Sequence, residues 1–468
     1  VDAPRSLLTV VLPRLIPILA ALAAVFALSA WLQVDPPAPL KRWDSEVVEA
    51  PAAVKRTSAK DGAVTAGRGV PADIQGTWPA FRGADRLNVL ADNTRLARTW
   101  PEEGPKPLWS VDLGEGYSGP TIRNGRVYIL DYDQENLEDA YRCLSLADGV
   151  EIWRYSYPVE IKRQHGMSRS VCAVTDKLVV GMGPLCHLTC LDAVSGGFVW
   201  AVDLVETFET KIPQWYAGQC PLIDGDRVIV APGGKALMVA LDAATGKMIW
   251  QTENPRKWDM THSSIMPLEV EGQRTYVYCA SGGIAGVSAE DGKLLWEFTD
   301  WRVATANVPT PVPVDDGRIC MTGGYRAGSL MLQVTKESDG FAVKELFRLK
   351  HKVFDSEQQT PIFSDGHLYG VRSNGELVCL DLEGKAVWAS GKAHRFGLGA
   401  YMMANGLLYV CNDKGTLSLV EATAEEFRLL AQAQVLEGHE TWGPMAMVQG
   451  RLLVRDLKRM VCLDVREP

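Results

Sequence analysis

The stretch Ala240-Leu-Asp-Ala-Ala-Thr-Gly246-Lys-Met-Ile-Trp250 decides the fold of this chain. Its first residues close a short apolar strand. Asp242 and Gly246 then form a tight hairpin, because an Asp side chain bonds the local backbone and Gly supplies positive φ. The next strand reaches a large flat ring at Trp250, placed to pack onto a neighbouring unit. The same unit recurs as Cys190-Leu-Asp-Ala-Val-Ser-Gly196-Gly-Phe-Val-Trp200 and as Cys379-Leu-Asp-Leu-Glu-Gly384-Lys-Ala-Val-Trp388. Looser copies end at Trp153 and Trp296.

Outward from this unit, a second apolar strand recurs along the chain. Its markers are Val127, Leu178, Val228, Val277, Ile319, Leu368, Leu407 and Leu452, at steps of 51, 50, 49, 42, 49, 39 and 45 residues. A repeat of about 46 residues with four short strands matches a propeller blade. Each marker strand follows another short strand that often carries Pro, as at Gly119-Pro120, Cys220-Pro221, Thr310-Pro311, Thr360-Pro361 and Gly443-Pro444. The last copy lacks a fourth strand after Val461-Cys-Leu-Asp-Val465, and an orphan fourth strand stands at Leu108-Trp109-Ser-Val-Asp-Leu113. That strand is expected to complete the last blade, and ring closure removes exposed sheet edges. Phe347 and Phe427 stand where Trp is due in the fifth and seventh copies. The expectation is an all-β, eight-bladed β-propeller of four-stranded blades over residues 76–468. Trp109, Trp153, Trp200, Trp250, Trp296 and Trp388 are its structural tryptophans.

Residues 15–34 form a run of 20 without charge, with Arg5 and Arg14 before it and Asp35 after it. At about 1.5 Å rise per residue it spans roughly 30 Å, one bilayer core. The positive flank predicts a transmembrane helix with a cytoplasmic N-terminus. Residues 1–34 thus read as an anchor in the inner, cytoplasmic membrane, with a cleaved signal peptide as the competing reading. Both place the remainder in the periplasm or another extracytoplasmic space. The first cysteine is Cys143, so no lipid-modified cysteine is expected in this leader. Residues 35–75, rich in Pro and Ala, read as a spacer.

The 468 residues carry 48 Lys+Arg against 57 Asp+Glu, a net charge of −9. With no Lys/Arg run, nucleic acid is not an expected partner. Ten cysteines are too few for a disulfide scaffold.

The repeat Leu-Asp-Ala-x-x-Gly-x-x-x-Trp resembles that of the quinoprotein (pyrroloquinoline quinone, PQQ) propellers and of the BamB-like outer-membrane assembly factors, over residues 76–468. Trp78-Pro-Ala-Phe81-Arg-Gly-Ala-Asp85-Arg86, Trp100-Pro101 and Pro107-Leu-Trp109 resemble the opening of PQQ-like repeat proteins abundant in planctomycetes. Trp215-Tyr216, Pro232-Gly233-Gly234 and Thr322-Gly323-Gly324-Tyr325 fit the same group. The assembly-factor resemblance implies a non-catalytic scaffold that docks other envelope or membrane proteins, without a cofactor. The quinoprotein resemblance implies a dehydrogenase holding PQQ and Ca²⁺ in the central channel. Its adjacent-cysteine pair is missing here, and its calcium ligands match no motif. Asn307, Asp259, Asp300 and His262 are the candidates under that alternative, with loop capping as their other reading.

Other patterns point away from catalysis. Cys186-His187-x-x-Cys190 has a zinc-like look, but Cys190 shares its repeat position with Cys143, Cys379 and Cys462, which reads as a buried strand residue. It also lacks the first cysteine of a haem attachment motif. Gly114-Glu-Gly116-Tyr-Ser-Gly119 is followed by Pro120 and a strand, not by the helix a dinucleotide site needs. The acidic run from Asp131 to Asp139 lacks the glycine and final glutamate of a calcium loop and reads as solvated. No catalytic or metal residue is assigned. The inner strands open on Tyr117-Ser118, Arg169, Gln219, His262, Asn307, Gln358 and Trp442, which should ring one mouth of the channel. A small-ligand or carbohydrate site there is the third reading, against water-filled satisfaction of backbone groups.

Overall fold

A computed structural model describes residues 57–468. The anchor expected at 15–34 and the first part of the spacer lie outside the described residues. No helix among the described residues is long and apolar enough to cross a membrane.

Strands assemble into eight sheets, one per repeat, with the four strands of each blade antiparallel. Blade 3 shows the pattern, with strands Leu222–Asp224, Arg227–Val230, Ala236–Asp242 and Met248–Glu253 from the axis outward. All eight marker residues fall in second strands. Second and third strands are sandwiched between neighbouring blades, so both of their faces are buried and they read as continuous apolar runs. The outer strand of blade 3 alternates instead, with Trp250 and Thr252 buried between exposed neighbours. Apolar cores lie between blades. Val180 and Cys190 of blade 2, for example, meet Val228 and Val239 of blade 3.

The ring closes through Lys106–Asp112, which pairs with Arg459–Asp464, setting Trp109 opposite Cys462. All six structural tryptophans are buried. Each of four meets the hairpin glycine of the next blade: Trp109 on Gly149, Trp153 on Gly196, Trp200 on Gly246 and Trp250 on Gly292. Phe347 takes the same place on Gly384 in the degenerate fifth blade.

The repeat motif therefore carries two requirements at once. Asp242 Oδ1 accepts the Thr245 N–H at 2.8 Å and holds the turn. Gly246 has φ +70°, and a Cβ there would sit 2.7 Å from the Trp200 ring. The Trp200 indole N–H donates to the Ala243 carbonyl at 2.9 Å, locking ring to hairpin. Gly246→Ala is expected to lose about 2 kcal/mol, from left-handed strain plus ring displacement. Gly225→Ala, also at positive φ (+63°) but with nothing within 4 Å, should lose about half of that. Urea melts compare them, and equal losses would mean that the ring contact contributes nothing.

Two blades gain a fifth strand from the N-terminal segment. Ala63–Ala66 pairs with the outer strand Glu151–Pro158 of blade 1, although it lies in the stretch that reads as spacer. A sheet edge recruits a strand through main-chain hydrogen bonds, which need no apolar periodicity. Val89–Leu90 pairs in parallel with Tyr401–Ala404, the innermost strand of blade 7. The acidic run is also not simply solvated. It forms a hairpin of Arg126–Asp133 and Glu138–Ser145 in which Asp131 and Asp139 are buried.

Candidate functional site: the channel mouth

Except in blade 7, where Val89–Leu90 pairs with it, the inner strand of each blade has no further strand on its axial side among the described residues. Proline there removes N–H donors, leaving carbonyls that face the axis. The segment beginning at Trp78 satisfies them. Trp78 exchanges two backbone hydrogen bonds with Ile122 of blade 1, both 2.8 Å, and Pro79 accepts from Val174 in blade 2. Arg86 Nη2 donates to the carbonyls of Cys220 (3.1 Å) and Pro221 (2.7 Å) in blade 3. Its Nη1 donates to Ile265 entering blade 4. Arg82 donates to Thr360 (2.7 Å) and Pro361 (2.8 Å) entering blade 6. Asn88 Nδ2 donates to Tyr401 of blade 7 at 2.6 Å. Residues 78–90 thus stitch six blades together across the axis. Burial lowers both guanidinium pKa values to about 10, a direction expected for desolvated cations.

Phe81, Arg82 and Asn88 form the floor of a cavity of about 130 Å³, many times the space one water needs. Tyr117 and Trp442 stack in its wall, with ring centroids 5.2 Å apart. The Arg169 guanidinium carbon lies 4.9 Å from the Tyr117 ring centroid. The Tyr117 hydroxyl donates to Glu440 Oε2 at 2.6 Å, and the Trp442 indole donates to Asp413 Oδ1 at 2.8 Å. Burial and the nearby Arg169 charge push the His262 imidazole down to about 4, so it is neutral at pH 7.

Tyr117, Arg169, His262, Gln358 and Trp442 line this cavity, and Ser118, Gln219 and Asn307 do not. Ser118 is fully buried, and its carbonyl accepts from Arg455. Gln219 spans the Ala231 backbone, accepting from its N–H at 2.8 Å. Asn307 Nδ2 donates to the Cys279 carbonyl at 3.3 Å and also contacts its sulfur. Sequence reading did not place Phe81, Arg82, Trp215 and Tyr325 in the site, although all four line it. Their one signal is that each falls within or beside the opening and aromatic-glycine motifs.

The calcium candidates do not converge. Asp300 is exposed and paired with Arg348 at 3.2 Å, Asp259 faces Lys211 at 3.6 Å, and Asn307 is committed to Cys279. Among the described residues, no three His, Cys, Asp or Glu side chains gather to hold a metal ion. A calcium-bound quinone needs an oxygen cage, whereas this cavity presents the guanidinium groups of Arg82 and Arg169, so the residues present do not fit it. Cys186 and Cys190 are fully buried and His187 is nearly so. All ten cysteines are buried, and no disulfide is formed among the described residues.

Comparison with known proteins places this geometry. A family model described as outer membrane protein assembly factor BamB matches residues 141–390. The BamB assembly factor of Moranella endobia (strain PCIT) is 22% identical over 335 residues, 68% of this chain and 70% of that protein. The one from Yersinia pestis is 28% identical over 217 residues, 45% of this chain and 51% of that protein. Among solved structures, BamB from Moraxella catarrhalis aligns with a TM-score of 0.54 at 15% identity, over 77% of this chain and 99% of that one. Quinohemoprotein alcohol dehydrogenase from Comamonas testosteroni aligns with a TM-score of 0.56 at 13% identity, over 84% and 81%. At these identities the two structures share the fold, a BamB-like and PQQ-type propeller, and nothing more follows from them. The family model spans more than half of the sequence, and the chain belongs to the family of the outer membrane protein assembly factor BamB.

Proposed function

We propose that this propeller is a docking scaffold in the cell envelope, holding a partner in outer membrane protein assembly on the rim of blades 2 and 3. The carrying observation is a set of exposed apolar side chains there, of which Phe198 also stacks on Tyr155 of blade 1. Val194, Phe198, Val199, Met248 and Ile249 are 37–55% exposed along two adjacent outer strands and the hairpin between Asp192 and Gly196. Beside them runs a groove of about 470 Å³, lined in part by Asp203, Phe208, Lys235 and Met248. Contiguous apolar surface with a polar rim marks a protein-binding site more often than chance placement does. The outer strands Phe198–Asp203 and Met248–Glu253 have no further strand beside them among the described residues. Blade 1 shows that such an edge accepts one, since Ala63–Ala66 fills it there.

Family membership supports the same reading, since its relatives are named as outer membrane protein assembly factors. No catalytic step is assigned. The scaffold lies beyond the cytoplasmic membrane, with residues 15–34 as its inner-membrane tether. A photo-crosslinking side chain at Met248 in the full chain should capture an outer membrane protein assembly component from native envelopes. The same probe at Lys392 on blade 6 should not. Phe198→Glu with Ile249→Glu should reduce capture at least about tenfold. Equal capture from both probe sites, or none from Met248, would sink the proposal.

A further inference from the structure

Three guanidinium groups lie about the propeller mouth without a carboxylate partner. Arg82 and Arg86 are engaged by main-chain carbonyls. Arg169 donates from Nε to the Trp215 carbonyl and from Nη2 to the Gln164 carbonyl. Its Nη1 is left without a hydrogen bond, and the side chain lines the cavity. The nearby carboxylates are already engaged, Glu440 by the Tyr117 hydroxyl and Asp413 by the Trp442 indole. A desolvated guanidinium with an unused N–H, only partly offset by the Glu440 charge, favours an anion with a matching planar fork.

The other walls are ring faces. The Tyr117–Trp442 stack, Phe81, Trp215 and Tyr325 line the same cavity as Arg169, with the Tyr117 ring 4.9 Å from its guanidinium carbon. Trp215 and Tyr325 hold left-handed backbone, at φ +65° and +55°. Such conformations are costly for bulky residues and cluster at binding sites, where the surrounding structure holds them. They aim two rings at one small cavity.

We propose that the channel mouth binds a small ring-bearing carboxylate, its ring against the aromatic walls and its carboxylate on Arg169. Acidic sugars and aromatic acids share this chemistry. The former stack a C–H face on an aromatic ring, and the latter stack a flat ring. The site is separate from the rim of blades 2 and 3 and does not depend on partner docking there.

Ligand-observed NMR on the intact chain tests it, with galacturonate and benzoate as probes and galactose and benzyl alcohol as neutral counterparts. At least one carboxylate should saturate with a Kd on the order of 1 mM, as expected for so small a ligand. Its neutral counterpart should bind at least about tenfold more weakly. Saturation by galacturonate assigns an acidic sugar, and saturation by benzoate assigns an aromatic acid. Arg169→Gln should abolish binding. Gln358→Trp, which fills the cavity and leaves Arg169 in place, should abolish it too and decides the matter if Arg169→Gln does not fold. No saturation by either acid up to about 10 mM, equal binding of the neutral counterparts, or binding retained in folded Gln358→Trp would each overturn the proposal.

Discussion

Arg86→Met lowers the unfolding free energy of the propeller by about 3 kcal/mol, the net of two opposed effects. Arg86 is 1% exposed and gives hydrogen bonds to the carbonyls of Ile265, Cys220 and Pro221. Methionine fills a similar volume but donates nothing, so three buried carbonyls lose their partner. Bonds from a charged donor contribute roughly 1.5–3 kcal/mol each. Removing a desolvated cation returns several kcal/mol, which is why the loss is smaller than the sum of the bonds. Arg86→Lys separates the two effects. It keeps the buried charge but cannot fork across three carbonyls, so it should cost at least as much as methionine. Urea denaturation of the three proteins at one pH reads both. A neutral Arg86→Met would mean that residues 78–90 lie against the channel without stitching it.

The same segment shows where sequence reading succeeds and stops. The hairpin from Asp242 to Trp250 was legible because each residue answers a local demand: a side-chain bond to the turn, a positive φ, a ring over the glycine. Those demands repeat with every blade, so the repeat spacing carries the fold. Arg82 and Arg86 answer to carbonyls on blades as distant as Thr360, 278 positions along the chain. Nothing local marks such a role. Ala63–Ala66 was hidden for a related reason, since main-chain pairing leaves no apolar pattern in the residues that join. In the channel mouth, naming the strand starts found the right neighbourhood but not the side-chain direction. Tyr117 and Ser118 stand in the loop ahead of the inner strand Thr121–Arg123, where no strand alternation sets direction; Tyr117 lines the cavity while Ser118 beside it is fully buried. Gln219 turns into its own blade, to the Ala231 amide, and Asn307 turns back to the Cys279 carbonyl of blade 4, because a backbone amide and a carbonyl there needed partners.

Asp139→Asn should make the protein more stable at pH 8 by about 4 kcal/mol while leaving it near wild type at pH 4. Asp139 is wholly buried between blades 1 and 2, where desolvation pushes its carboxyl up to about 7. The Tyr157 hydroxyl donates to Oδ2 at 2.8 Å, which opposes the shift, and Oδ1 has no hydrogen-bond partner. An unfolded Asp releases its proton near pH 4. Between about pH 4 and 7 the folded state therefore holds more protons than the unfolded one. Stability must fall as pH rises through that window, by up to about 1.4 kcal/mol per unit. Above pH 7 the fold retains a charged carboxylate with one hydroxyl partner, and the full cost is present. His262 works against this trend, because its depressed pKa makes the fold gain stability as pH rises from about 4 to 6.5. Raw melting curves would mix the two, so the test is the difference between wild type and Asp139→Asn in urea at pH 4.5, 6 and 8. The difference should grow across the series, with the variant ahead at pH 8. A difference independent of pH would show that Asp139 is ionised in the fold, and that water or the His187 ring beside Tyr157 compensates its charge.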